Sequence, residues 1–157
     1  MKEIIMIITA GFVGSLLMLA FVGVVHKLKI AHADPVHALG SLFTGKAEKQ
    51  VFPGFFLYLG GGVCLATLMF VLMDLVTPGN TWFAVLGGGI IGFGLGWIPT
   101  EASVYFIAKR HPLEEYRQLP MPAVLTYVLG HLVFGLGVGF VYGVSGICTG
   151  YLRECIR

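Results

Sequence analysis

Four long apolar runs divide the chain, and they cover residues 4–25, 54–76, 82–108 and about 122–148. A helix needs about 20 predominantly apolar residues to cross a bilayer, and each run is long enough. Pro53 and Pro122 stand at the starts of the second and fourth runs, where the missing N–H of proline costs little. The pattern therefore predicts an all-α, integral membrane four-helix bundle that forms one domain over residues 1–157.

The first loop, residues 26–52, contains a shorter amphipathic pattern. Asp34 and Pro35 are typical of the N-cap and first position of a helix, and Gly45 is typical of its end. About ten residues are too few to span a bilayer. We therefore predict a short interfacial or re-entrant helix over residues 35–44. One face of this helix carries its apolar side chains: Val36, Leu39, Leu42 and Phe43.

Composition supports a lipid environment. The chain is 57% hydrophobic and 11% charged, with a mean hydropathy of +0.88. A soluble domain carries about 25% charged residues, so this deficit excludes an ordinary water-facing surface and makes membrane lipids expected partners. The formal net charge of +2 is too small to indicate nucleic-acid binding.

The lysine and arginine residues predict an orientation. Seven of them lie in the first and third loops, against three at the two termini. Because positive residues are retained on the cytoplasmic side, loops one and three are predicted to be cytoplasmic and both termini outside. The first set is Lys27, Lys29, Lys46, Lys49, Lys109, Arg110 and Arg117, and the second is Lys2, Arg153 and Arg157.

Glycines recur at four-residue spacing in the third and fourth spans. They are Gly88, Gly92 and Gly96 in one, and Gly135, Gly139 and Gly143 in the other. Small residues at this spacing allow helix backbones to approach closely, so these six glycines are predicted to pack helices together. The alternative is that they form a smooth surface for a flat cofactor or a partner helix.

Two ionisable residues stand out inside the predicted spans, Glu101 and His131. Counted from Lys109 and Pro122 at 1.5 Å per residue, they lie about 12 and 13 Å deep, so the matched depths allow a contact between them, unless they face different helices and never meet. The pair is a candidate for a hydrogen bond that fixes helix register, or for a proton relay or quinone headgroup site. His131 is also a candidate axial ligand for haem or chlorophyll.

The remaining residues indicate no chemistry of their own. We expect the other histidines, His111 among them, to be solvated, and Asp74 to reach the headgroups. The three cysteines, Cys64, Cys148 and Cys155, form no CxxC motif, so no metal site is predicted. No nucleophile–base arrangement or paired carboxylate is present, and we expect no catalytic residues and no enzymatic activity.

The last span resembles a known group of proteins. Gly130-His131-Leu132-Val133-Phe134-Gly135, with Gly139 and Tyr142-Gly143, is similar to the last-helix signature of small four-helix prokaryotic membrane proteins catalogued as a domain of unknown function. Residues 10–14 and 34–42 also resemble that group. The second span departs from it, because Leu59-Gly60-Gly61-Gly62 replaces a polar or histidine position. The resemblance implies a four-helix fold in a prokaryotic cytoplasmic membrane and supplies no reaction.

Together these patterns favour a non-catalytic accessory or structural subunit of a larger bioenergetic membrane complex, whose partners are other transmembrane subunits. One alternative is a redox or proton-handling module that binds quinone or a tetrapyrrole at Glu101 and His131. A second alternative is a small transporter that works as a homodimer.

Overall fold

Four helices of the computed structural model are long and apolar enough to cross a membrane, which confirms the predicted all-α, four-helix membrane fold. The structure describes residues 1–32, 34–46, 50–76 and 80–145. The spanning helices are α1 (Lys2–Lys27), α3 (Val51–Val76), α4 (Thr81–Ala102) and α5 (Met121–Ser145). The last three residues of the predicted 122–148 span lie outside the described residues.

The short helix α2 (Pro35–Thr44) has the predicted bounds. Its N-cap is Asp34, whose Oδ1 accepts the backbone N–H of His37 at 3.0 Å. It ends at Gly45, whose left-handed φ of 65° suits glycine and whose N–H donates to the Ser41 carbonyl at 2.8 Å. On α3, a Cβ at Gly54 would collide with the Val36 carbonyl, so α2 lies directly against the start of α3.

Helix α5 is the centre of the bundle. It packs along α4 and α1, whereas α3 packs on α1 and α2 and contacts α4 and α5 far less. In the most apolar 18-residue stretch of each helix, 50% of the α5 residues are buried, compared with 22% of the α3 residues. Helix α3 is therefore held far less closely by α4 and α5 than by α1 and α2 among the described residues. The core between the helices includes Met18, Val22, Met69, Met73, Phe134 and Val138.

The end of α4 changes its winding. Pro99 lies inside the helix and has no N–H, so the carbonyl one turn earlier loses its usual donor. The chain then continues as a π-helical turn, Ser103–Ile107, and a 3-10 turn, Ala108–Arg110. The Ser103 hydroxyl donates to the Pro99 carbonyl at 2.7 Å. The predicted run over 82–108 is thus helical throughout, but its last turns do not keep the α-helical register.

Candidate functional site

The six glycines of the four-residue pattern form the contact between α4 and α5, which we call the glycine seam. A Cβ added to any of them would lie less than 3.0 Å from an atom of the opposite helix. Gly88 faces Gly135 and Gly139, and Gly143 faces Thr81. The Thr81 hydroxyl donates to the Gly143 carbonyl at 3.0 Å and closes one end. Because the two backbones nearly touch, the smooth surface of each helix is covered by the other helix of the same chain.

His131 lies at the other end of the seam. A Cβ at Gly96 would collide with the Cβ and Cγ atoms of His131, so the glycine provides the space for this side chain. The Nδ1 atom of the half-buried imidazole lies 2.8 Å from the Tyr127 carbonyl oxygen, one turn earlier on α5. A carbonyl oxygen only accepts, so we assign the proton of the neutral ring to Nδ1. The Nε2 atom then keeps its lone pair and is a hydrogen-bond acceptor.

Glu101 and His131 are not brought together. Glu101 is exposed, and no hydrogen bond or ion pair joins these two described residues. Gly96 lies opposite His131, and Glu101 follows five residues later, about 8 Å further along α4. The expected match in depth was counted from the helix ends, but α4 runs on through its π and 3-10 turns to Arg110, so those ends are not level.

A carboxylate–phenol pair joins α3 to α5 near the opposite end. The Tyr142 hydroxyl donates to Oδ1 of Asp74, and the Tyr142 ring packs edge-on against Phe70 at 5.2 Å. Tyr142 is 7% exposed. Asp74 lies two residues before the end of α3 and is half-buried. In the sequence, the features that could indicate this pair are a tyrosine among the small residues of α5 and a carboxylate at the matching height of α3, which runs parallel to α5.

His111 is buried, so the expectation that it is solvated was wrong. The side chain is 1% exposed, and Nε2 lies 3.0 Å from the Ala38 carbonyl of α2. The backbone N–H of Leu113 donates to Nδ1 at 3.1 Å, and Arg117 Nε donates to the His111 carbonyl at 3.0 Å. The ring therefore ties the loop between α4 and α5 to α2. The charged residues next to His111 in the sequence had indicated that its side chain is exposed to solvent. Its burial depends instead on α2, a helix about 70 residues earlier in the chain.

Two tyrosines lie between His131 and the loops. The Tyr58 hydroxyl donates to the Ser15 carbonyl at 3.4 Å, and the Tyr58 and Tyr127 phenol groups are close enough to interact electrostatically. The Tyr127 hydroxyl also lies near the backbone of Asp34. A polar region therefore extends from the N-cap of α2 into the bundle and stops at His131.

Within the described residues, no group of three or more His, Cys, Asp or Glu side chains is placed to hold a metal ion. Two polar groups at this end of the seam have no hydrogen-bond partner among the described residues: Nε2 of His131, and the buried Oγ1 of Thr100, which follows Gly96 by one turn on α4. No family model, no curated protein and no solved structure matches this chain.

Proposed function

We propose that this chain is a non-catalytic accessory subunit of a larger membrane complex of the electron-transfer type, and that it docks there through the outer face of α3. The observation that carries the proposal is the set of small, exposed residues in the middle of that face, Gly60, Cys64 and Thr67. Nothing lies within 4 Å of the position that a Cβ of Gly60 would take.

Gly60 is an exposed glycine in the interior of α3, where glycine destabilises the helix. In the interior of a helix it is about 1 kcal/mol less favourable than alanine. The glycines of the seam offset this cost by close packing, but Gly60 has no such contact within the described chain. A neighbouring helix from another subunit would supply it, because small residues spaced four apart allow two backbones to approach in lipid.

The surroundings of these small residues suit a docked helix. The apolar side chains beside them are exposed, Phe56 at 59%, Leu68 at 47% and Val71 at 51%. The face is therefore a shallow groove between larger side chains. Because α3 is also the least buried span, it is the helix with the most surface left for another subunit.

Two further functions use different features. A redox or proton-handling module would use the acceptor nitrogen of His131, and Glu101 would take no direct part because it is exposed elsewhere. A homodimeric transporter would pair the outer face of α3 with the same face of a second copy.

Cross-linking from Cys64 separates these functions. In native membranes, a variant with Cys148→Ser and Cys155→Ser carries a photoactivatable maleimide on Cys64, which is exposed. We expect one heavier adduct, and mass spectrometry should identify a different membrane protein in it. The matched control moves the cysteine to the outer face of α4 with Cys64→Ser and Leu86→Cys, since Leu86 is 60% exposed.

An adduct at Cys64 that is absent at position 86 supports the docking face. No adduct, or the same products from both positions, contradicts it. Oxidation that links two copies through Cys64 would favour the homodimer instead, because that bond requires the two α3 faces to meet.

We also propose that the chain lies in the cytoplasmic membrane of a prokaryote with loops one and three inside. A membrane-impermeant maleimide added to intact spheroplasts should label Cys155 in a variant with Cys64→Ser and Cys148→Ser. A cysteine at Lys46 in a variant that lacks the three native cysteines should react only after the membrane is opened. The reverse pattern would refute this orientation.

A further inference from the structure

We propose that the bundle interior beside His131 binds a lipid-soluble ligand through an O–H donor, and that the ligand belongs to the quinol class. This site is independent of the docking face on α3. Its components are the acceptor nitrogen of His131, the position of that nitrogen in the span, and the open space on the neighbouring helix.

The first component is the fixed tautomer. The Nδ1–H group of His131 is engaged by the Tyr127 carbonyl at 2.8 Å, and the ring is held in place against Gly96. No described residue donates a hydrogen bond to Nε2. A ligand that pairs with this atom must therefore supply the proton. A quinol hydroxyl can do so, whereas a quinone carbonyl cannot.

The second component is depth. His131 lies two residues from the midpoint of α5 (Met121–Ser145), or about 3 Å from the centre of the span. A charged side chain at this depth is unfavourable by about 2.5–3.5 kcal/mol on insertion scales for residues such as Asp, Lys and Arg. The imidazole is therefore neutral, and Nε2 is an acceptor.

The third component is access from the lipid. Two contacts join α3 to α5: Tyr58 lies near Tyr127, and Asp74 bonds to Tyr142. The two helices therefore run parallel, and each residue of α3 lies level with the residue of α5 about 69 positions later in the chain. This places Gly62 level with His131. Gly61 is the next residue before it. Gly61 follows Tyr58 by three residues and precedes Leu65 by four, and both of these side chains are partly buried against the core. Gly61 itself is exposed, so it lies at the edge of this face, towards the lipid.

Nothing lies within 4 Å of the position that a Cβ of Gly61 would take. This open position is level with His131, and α3 contacts α4 and α5 only sparsely. A ring-shaped headgroup can enter there from the lipid, between apolar side chains that are only partly buried, Leu65 on α3 and Ile91 and Leu95 on α4. Water supplies the same O–H donor, so the test must separate the two sources.

The test is ¹⁵N NMR of the full chain, labelled at histidine and reconstituted in lipid nanodiscs. We expect His131 to show a protonated Nδ1 and an unprotonated Nε2. Decylubiquinol, added without oxygen, should shift the Nε2 resonance saturably, and oxidised decylubiquinone should not. His131→Asn serves only to assign the signal.

His111 is the internal control. We assign its proton to Nε2, which lies 3.0 Å from the Ala38 carbonyl, because Nδ1 accepts the backbone N–H of Leu113. This is the opposite tautomer to that of His131, in a buried loop contact, so the His111 signals should not move. Gly61→Leu fills the approach and should abolish the quinol-dependent shift while the tautomer of His131 stays the same. Gly23→Leu, at an open position on α1, should leave the shift intact.

Several outcomes would overturn the proposal. A protonated Nε2 in the ligand-free chain removes its basis. Equal shifts with quinol and quinone show that the site does not select a donor. If Nε2 is unprotonated and its resonance does not shift with quinol, water is its donor and the quinol site is refuted. If the Gly61→Leu variant still shows the full shift, the route from the lipid is refuted.

Discussion

Replacing Gly88 with leucine is expected to separate α4 from α5 and to destabilise the chain by about 3 kcal/mol or more. Overpacking a well-packed core costs typically about 1–3 kcal/mol when side chains can move aside. Here the leucine would meet the Gly135 carbonyl and the Cα of Gly139, which are backbone atoms. Only a separation of the two helices can make room. Unfolding in mixed micelles, followed by circular dichroism, measures the loss.

Gly94→Leu is the matched control because it lies on the same helix. Gly94 is exposed and nothing lies within 4 Å of its Cβ position, so a side chain there starts in open space and points away from the seam. Leucine also favours the helix by up to about 1 kcal/mol relative to glycine. We expect this variant to be as stable as the unchanged chain or more stable. Equal losses in the two variants would show that leucine disturbs α4 itself and not the seam.

Gly139→Leu tests the same contact from α5. A Cβ at Gly139 would meet the Ala84 carbonyl, and Gly139 also faces Gly88. Once one leucine has opened the seam, the second should add little, so the double variant should lose less than the sum of the two single losses. Full additivity would indicate two independent sites.

The sequence predicted the elements of this fold because each depends on local pattern. A long apolar run in a chain with few charges forms a spanning helix in lipid, because the helix satisfies all of its own backbone groups. The bounds of α2 are also set locally, by Asp34 and Pro35 at its start and Gly45 at its end. The glycine spacing likewise identified which residues would meet another helix. It did not say which helix, because small-residue stripes on α4 and α5 would suit a partner subunit equally well.

The candidate site depended on non-local geometry, and there the prediction was incomplete. Depth along a helix places a residue on one axis only, so it could not show that Glu101 is exposed while His131 packs against Gly96. The π turn after Ala102 also shifted the level of the α4 end. The burial of His111 required knowledge of where α2 docks, and no pattern near His111 carries that information.

The Asp74–Tyr142 pair gives the second large effect. Tyr142→Phe is expected to destabilise the bundle by about 1.5–3 kcal/mol, the range for hydrogen bonds to charged groups. The variant removes the donor and leaves a half-buried carboxylate without this hydroxyl. It keeps the ring that packs against Phe70. Asp74→Asn should cost less, because an amide oxygen still accepts from the phenol.

A double-mutant cycle isolates the contact. If the hydroxyl and the carboxylate interact directly, Asp74→Ala and Tyr142→Phe together should cost less than the sum of the single changes, by about 0.5–3 kcal/mol. Glu101→Gln is the control for removing a carboxylate from a span, and since Glu101 is exposed we expect a change within about 0.5 kcal/mol. Additive losses would mean that the pair does not join α3 to α5. In that case α3 would be held mainly through α1 and α2, with which it makes most of its described contacts.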